Sequence, residues 1–280
     1  MKRFTSLLAT VSLMAAGCAV LFGAGASSAA TGNALPTLTL GLKGNSVTVG
    51  GSAVSGAVNI TTTVTGKPGE PALVRLNPGV SFAQFGQAVQ AVNSHHGDLN
   101  YLDPYASLVY DGPEFSGTNT DQVDLQPGNY FALNTGAKGS PPHAAFTVSP
   151  SASPAALPTP GATVSSIEFG FTGAKVLHDG ELVRFQNLGF LVHMDVWVRA
   201  KSLATAHQIV ALLLAGKDRK VGPNVATAFG TFAGPISSGA VQQSVITEQP
   251  GWYVQACFMD TQDGREHTRL GMERILKIVK

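Results

Sequence analysis

Apolar and polar positions along this chain alternate in short runs broken by Gly and Pro, the pattern of strands joined by turns. Strands are predicted at 37–42, 57–65, 72–76, 130–133 and 144–148, and again at 167–171, 182–186, 192–199, 241–247, 252–258 and 274–279. Within 192–199, Val192, Met194, Val196 and Val198 form one apolar row, and His193, Asp195 and Trp197 point the other way. Two stretches instead carry the three-to-four spacing of a helix. One covers 82–92, with Ser81 as cap and Phe82, Phe85, Val89 and Val92 on one face. The other covers 203–214, with Ser202 as cap and Ala206, Ile209, Val210 and Leu213 facing inward.

These elements fall into two similar sets. Gln126-Pro127-Gly128-Asn129-Tyr130-Phe131 recurs as Gln249-Pro250-Gly251-Trp252-Tyr253-Val254, 123 positions on. Ala72-Leu73-Val74-Arg75 stands opposite Val196-Trp197-Val198-Arg199 at nearly the same offset, and one helix follows each. Between the sets, residues 149–162 are rich in Pro, Ala and Ser and lack apolar periodicity, as an extended linker does. The expected organisation is an export signal at 1–30, a first domain at 31–148, the linker at 149–162 and a second domain at 163–280. The expected fold class is all-β, with two Greek-key β-sandwiches that each carry one inserted α-helix.

Composition narrows the partners. Charged residues are 12% of the 280 and the formal net charge is +1, so neither nucleic acid nor an anionic membrane is implied. Lys2 and Arg3 precede an apolar run over 4–23, and Ser28-Ala29-Ala30 fits a small-x-small cleavage site. Cleavage after Ala30 removes two basic and no acidic residues, which leaves a net charge of −1. Secretion, a periplasmic location or display at the cell surface all follow from such a signal. Two other fates stay open, retention of the run as an anchor and lipidation of Cys18, and only these would bring a membrane into play.

The chain has two cysteines, and with Cys18 in the signal, Cys257 stands alone in an oxidising compartment. A solitary exported thiol is buried, pairs between chains, or serves as a metal thiolate. Near it, Gly251-Trp252-Tyr253-Val254-Gln255-Ala256-Cys257 reads as a strand that opens on a Pro-Gly turn, and His267-Thr268-Arg269-Leu270-Gly271-Met272 leads into the last strand. A second imidazole, His193, follows Asn187-Leu188-Gly189-Phe190-Leu191-Val192.

Together these residues resemble the cupredoxin family of blue, or type 1, copper proteins. In that family a first His follows an Asn/Gly turn, Gly-x-Tyr-x-x-x-Cys comes later, and a His and then x-x-x-Gly-Met close the set. The resemblance covers about 163–280 and reaches the first half only as an echo of fold. It implies one copper ion with His193, Cys257 and His267 as strong ligands and Met272 as a weak axial one. The donor types agree with that, since a thiolate, two imidazoles and a thioether suit both oxidation states of copper. Zinc at the same three residues lacks a fourth strong ligand.

Nine residues, 258–266, separate Cys257 from His267, more than in small carriers of the family and comparable to its nitrite reductases. Those enzymes, like multicopper oxidases, place a His directly beside the Cys, where this chain has Ala256. No second copper and no catalytic role are therefore expected. The 123 offset sets Asn134 opposite Cys257, so the first half is expected to be structural or to mediate contacts. His95 and His96 read as a solvated helix end, His178 and His207 lack partners, and no hydrolase or phosphate-loop motif occurs. The expected function is copper binding and one-electron transfer with an unknown redox partner protein. The alternative is a metal-free extracellular binding or structural module.

Overall fold

The computed structural model describes residues 34–137 and 139–280, so the expected export signal at 1–30 and Cys18 lie outside the described residues. The first half contributes β1 (Thr37–Lys43), β2 (Ser46–Gly51), β3 (Gly56–Gly69), β4 (Pro71–Leu76), β5 (Ala106–Asp111), β6 (Phe115–Leu125), β7 (Gly128–Asn134) and β8 (His143–Val148). The second contributes β9 (Ala162–Ile167), β10 (Gly170–Gly173), β11 (Val176–His178), β12 (Leu182–Asn187), β13 (His193–Ala200), β14 (Ala226–Ile236), β15 (Val241–Val245), β16 (Gly251–Ala256) and β17 (Glu273–Val279). Helix α1 (Phe82–Ala91) follows β4, and α2 (Leu203–Leu214) follows β13. Among the described residues the protein is all-β with one α-helix in each half, as its patterning predicts.

Three sheets make two sandwiches. The first half stacks β5-β4-β7-β8 on β1, β2, β3 and β6, with Leu38, Leu40, Ile60, Leu73, Tyr130 and Ala132 between them. The second stacks β11-β17-β16-β13-β14 on β9, β10, β12 and β15, with Val164, Val183, Phe185, Trp197, Tyr253 and Leu276 between them. In each half the helix covers the outer face of the smaller sheet. Phe85 and Ala88 of α1 pack on Val74 and Phe131, and Ile209 and Leu213 of α2 pack on Val198 and Val254. Ser81 and Ser202 cap these helices through reciprocal bonds with Gln84 and Thr205.

The repeated Gln-Pro-Gly-x-Tyr turn makes the same bond in both halves. Tyr130 Oη donates to the Gln126 carbonyl at 2.8 Å, and Tyr253 Oη donates to the Gln249 carbonyl at 2.5 Å. Each hydroxyl thereby satisfies a carbonyl at the corner where the chain enters its strand.

The larger sheet runs through both halves, in the order β10-β9-β12-β15-β6-β3-β1-β2. The join is a short antiparallel pairing of β15 with β6, Gln242 opposite Val123 and Gln243 opposite Gln122. It is polar and buried: Gln243 Nε2 donates to Gln122 Oε1 at 3.1 Å, and Asp121 accepts from Tyr110 Oη at 2.5 Å and from Ser244 Oγ. Buried polar groups satisfied in this way fix one register, because any slip would leave several of them without partners.

Two local expectations change. The strand predicted at 167–171 is a corner, since β9 ends at Ile167, β10 starts at Gly170, and Phe169 has φ 55°. The Glu168 carboxylate holds that corner by accepting from the amides of Phe190 and Leu191, a tertiary pull that alternation cannot reveal. Phe82 is 44% exposed, and Ala88 takes its place on the buried face of α1. The Phe82 ring lies instead against Phe131 and His143.

Near the join, burial raises the Glu70 carboxyl to about 7, with Thr135 opposing and the charge of Glu114 adding to the rise. Asp111 stands well above the carboxylate range, first through burial and then through Glu70. The folded chain thus holds a proton that unfolded Glu70 releases above its ordinary 4.5, so this stability is complete below that pH and fades as pH rises through about 7. Measured against Glu70→Gln, the wild type should lose about 5 °C of melting temperature between pH 5 and pH 8 in scanning calorimetry.

Candidate metal centre

Four elements deliver the residues of the centre. His193 opens β13, Cys257 follows β16, His267 begins a 3-10 turn (His267–Leu270), and Met272 precedes β17. Cys257 Sγ lies 3.4 Å from His267 Nδ1 and 3.8 Å from His193 Nδ1. The three donor atoms are all within 4.8 Å of one another, and the two rings meet edge-on at 5.0 Å between centroids. Among the described residues this is the one such grouping of His, Cys, Asp or Glu.

The long gap between Cys257 and His267 closes on itself. Thr261 N donates to Arg265 O, Gly264 N to Thr261 O, and Asp260 bridges Glu266 in antiparallel fashion. The base is sealed where His267 N donates to Met259 O at 2.8 Å. Met272 N then donates to His267 O, and Cys257 N donates to Met272 O. The intervening residues are a side excursion, so Cys257, Met259, His267 and Met272 stay neighbours whatever its length.

His193 is set by the turn before it. Asn187 has no exposed surface. Its Nδ2 donates to the carbonyls of Leu191 at 2.7 Å and Ile236 at 3.0 Å, while its Oδ1 accepts from Gly189 N at 3.0 Å and Ser166 Oγ at 3.2 Å. One side chain therefore ties β9, β14 and the loop that enters β13. Gly189 is required there, because a Cβ would stand 2.9 Å from His193 Nε2 and inside contact with Glu168.

All three donor residues are 0% exposed. Burial lowers His193 to about 3, helped by His267 and opposed by Glu168. Burial lowers His267 to about 4, against the opposing charges of Asp98 and Glu168. Burial also pushes the Cys257 thiol up to about 12, although the amides of Met194 and Met259 pull it back. The first of these amides donates to Sγ at 3.4 Å. At neutral pH both imidazoles are therefore uncharged, with a lone pair free on each ring. The outer nitrogen of each, Nε2, is buried and has no protein partner.

Fit to a metal follows from that chemistry. Two neutral imidazoles turn the same nitrogen toward a thiol whose other partners are the backbone amides of Met194 and Met259. A cation that takes the place of the thiol proton satisfies all three at once. The donors are soft or borderline, so the cluster suits one copper ion better than a hard cation. Met272 is fully buried in the same apolar cluster as Cys257, Val192, Met194, Val196 and Met259. His95, His96, His178 and His207 are exposed and stand apart from the cluster.

Sequence reasoning missed five residues beside the centre. The Met194 amide acts through its backbone, and Met259 has no motif around it. Asp98, Leu99 and Asn100 come from the first half, where the Asp cap of a 3-10 turn was the one signal available.

No family model matches the chain, and no curated protein matches it. Solved structures similar to it include reduced auracyanin from the photosynthetic bacterium Roseiflexus castenholzii, at 16% identity over 42% of this chain and 95% of that one, with a TM-score of 0.26. An azurin from the obligate methylotroph Methylomonas sp. strain J is 16% identical over 42% of this chain and 96% of its own, with a TM-score of 0.25. A multicopper oxidase is 11% identical over 87% of this chain and 88% of its own, with a TM-score of 0.24. Likeness of this degree adds nothing to the chemistry of the centre, which stands on its own atoms.

Proposed function

We propose that this chain is an exported, cupredoxin-like protein that holds one copper ion in its second half and passes single electrons. The observation that carries the reading is the convergence of Cys257 Sγ with the Nδ1 atoms of His193 and His267 at 3.8 and 3.4 Å. His193, Cys257 and His267 would be the strong ligands and Met272 the weak one. Copper held there supplies a one-electron couple.

The chain's own part is to bind, orient and keep water away. Strands β13 and β16 pair directly, Val196 opposite Ala256, and so fix the spacing between His193 and Cys257. The Met194 amide donates to the sulfur, which favours its thiolate form. A rigid ligand set of this kind limits rearrangement between two oxidation states that prefer different geometries.

Burial also argues for electron transfer over catalysis. His193, Cys257 and His267 have no exposed surface, a placement that suits electron transfer better than direct contact with a substrate. The reading therefore assigns no enzymatic activity. Its redox partner is a protein whose identity the chemistry does not specify.

Export rests on the pattern of residues 1–30. No helix of the described residues is long and apolar enough to cross a membrane. Intact mass of the protein recovered outside the cytoplasm should match a chain that begins at Thr31. A mass that retains residues 1–30 overturns cleavage.

Copper titration of the purified mature protein should give about one equivalent bound and an intense visible charge-transfer band. Cys257→Ser should abolish the band. Absence of both band and stoichiometric uptake in the wild type would leave a metal-free sandwich and sink the reading. Preferential retention of zinc, without a copper band, counts against it equally.

Met272→Leu separates the axial role from the strong ligands. Copper uptake should stay near one equivalent, because the thiolate and imidazoles remain. The midpoint potential should rise in protein-film voltammetry, since loss of even a weak donor costs the more highly charged oxidation state more. An unchanged potential would show that Met272 only packs.

A further inference from the structure

We propose that Asp98 and Asn100, both from the first half, are positioning residues of the metal centre in the second half, which is therefore assembled by both. The inference rests on the copper reading of His193, Cys257 and His267. It assigns the first half a role in the centre in place of a purely structural one.

The contact begins at the residue before His193. Val192 N donates to Asn100 Oδ1 at 2.6 Å, across 92 positions of sequence. Val192 precedes β13, so the sheet does not hold its amide. The strand is also irregular where it starts, with register shifts on both sides of Asp195 in its pairing with β14. A ladder with such breaks leaves the approach to His193 to be held by contacts outside it. The bond to Asn100 is one of them, beside those of Asn187.

Asn100 is itself oriented. Its Nδ2 donates to Asp98 Oδ1 at 2.5 Å, and its backbone N donates to the same oxygen at 2.9 Å. Asp98 is 2% exposed and caps the 3-10 turn Leu99–Leu102. With the amide nitrogen committed to Asp98, the amide oxygen of Asn100 can only face Val192. The two residues therefore act as a relay that ends one peptide away from His193.

A second clamp works from the other side. Ser237 N donates to Leu108 O at 2.8 Å, and Leu108 N donates to Ser237 Oγ at 2.9 Å. Ser237 follows Ile236, the residue paired with His193. Leu99 and Leu108 pack against the cluster that contains Cys257 and Met272. Near the loop that leads to His267, a Cβ on Gly264 would meet the His96 Cβ at 3.4 Å, and one on Gly97 would lie 3.6 Å from Asp260 Oδ2. The first half thus lies over the approach to His193 and over the excursion between Cys257 and His267.

The test uses the full mature chain with Asn100→Ala, Asp98→Ala and Asp98→Asn. Ser81→Ala serves as control, because it removes a helix cap in the same half without touching the relay. Two quantities are read: the electron paramagnetic resonance and visible spectra with copper, and the rate at which Cys257 of the metal-free protein reacts with a small aromatic disulfide. Asn100→Ala and Asp98→Ala should change the copper spectrum, weaken copper binding about 10–100-fold and speed thiol reaction about tenfold, as loss of an outer hydrogen-bond partner does. Asp98→Asn keeps an acceptor for Asn100 and should restore the wild-type spectrum and rate. Spectra and rates unchanged in Asn100→Ala, or equally changed in Ser81→Ala, overturn the relay. A wild type that takes up no copper refutes the copper reading alone, and the thiol rates then still decide the relay.

Discussion

A thiol and two imidazoles facing one another without solvent are costly to bury, because each loses its hydration and the protein returns only a weak partner. The rest of the second half is arranged around that cost. Cys257 Sγ receives the backbone amides of Met194 and Met259 and faces two ring nitrogens at 3.4 and 3.8 Å. A cation resolves the frustration. Without one, the site stays neutral, with the thiol protonated and the imidazoles uncharged, which is the state that burial enforces.

Holding those donors in place draws on constraints well beyond them. Asn187 knots three segments behind His193 through four hydrogen bonds. The pairing of β13 with β16 sets the distance from His193 to Cys257, and the sealed loop base at Met259 and His267 sets the third side. The continuous eight-stranded sheet then fixes one sandwich against the other, so contacts from residues 96–108 reach the centre in a single register. The two halves share a framework and differ in chemistry. The two halves keep the same tyrosine bond at the turn, while Asn134 stands where the second half has Cys257.

Much of this was legible in sequence, for local reasons. The helices showed because their caps and apolar faces are contiguous, and β13 and β16 because their residues favour strands strongly. The approach of His193, Cys257 and His267 to one another was legible because each sits in a short motif beside a turn. Other elements were hidden. Strand β6 is rich in Thr, Asn and Asp and is stabilised by partners across the sheet, such as Thr120 with Thr61 at 3.0 Å and Thr118 with Thr63 at 3.2 Å. The corner at Glu168 and Phe169 depends on amides more than twenty positions away. The bond from Val192 to Asn100 spans the whole join between halves, and nothing near either residue announces it.

Copper-edge X-ray absorption on the loaded mature protein tests the central claim most directly, since it reports the atoms that touch the metal. One sulfur near 2.2 Å and two nitrogens near 2.0 Å, on the order of bond lengths known for thiolate and imidazole ligands, is the result the account predicts. A shell of oxygen and nitrogen alone, with no sulfur scatterer, would contradict it.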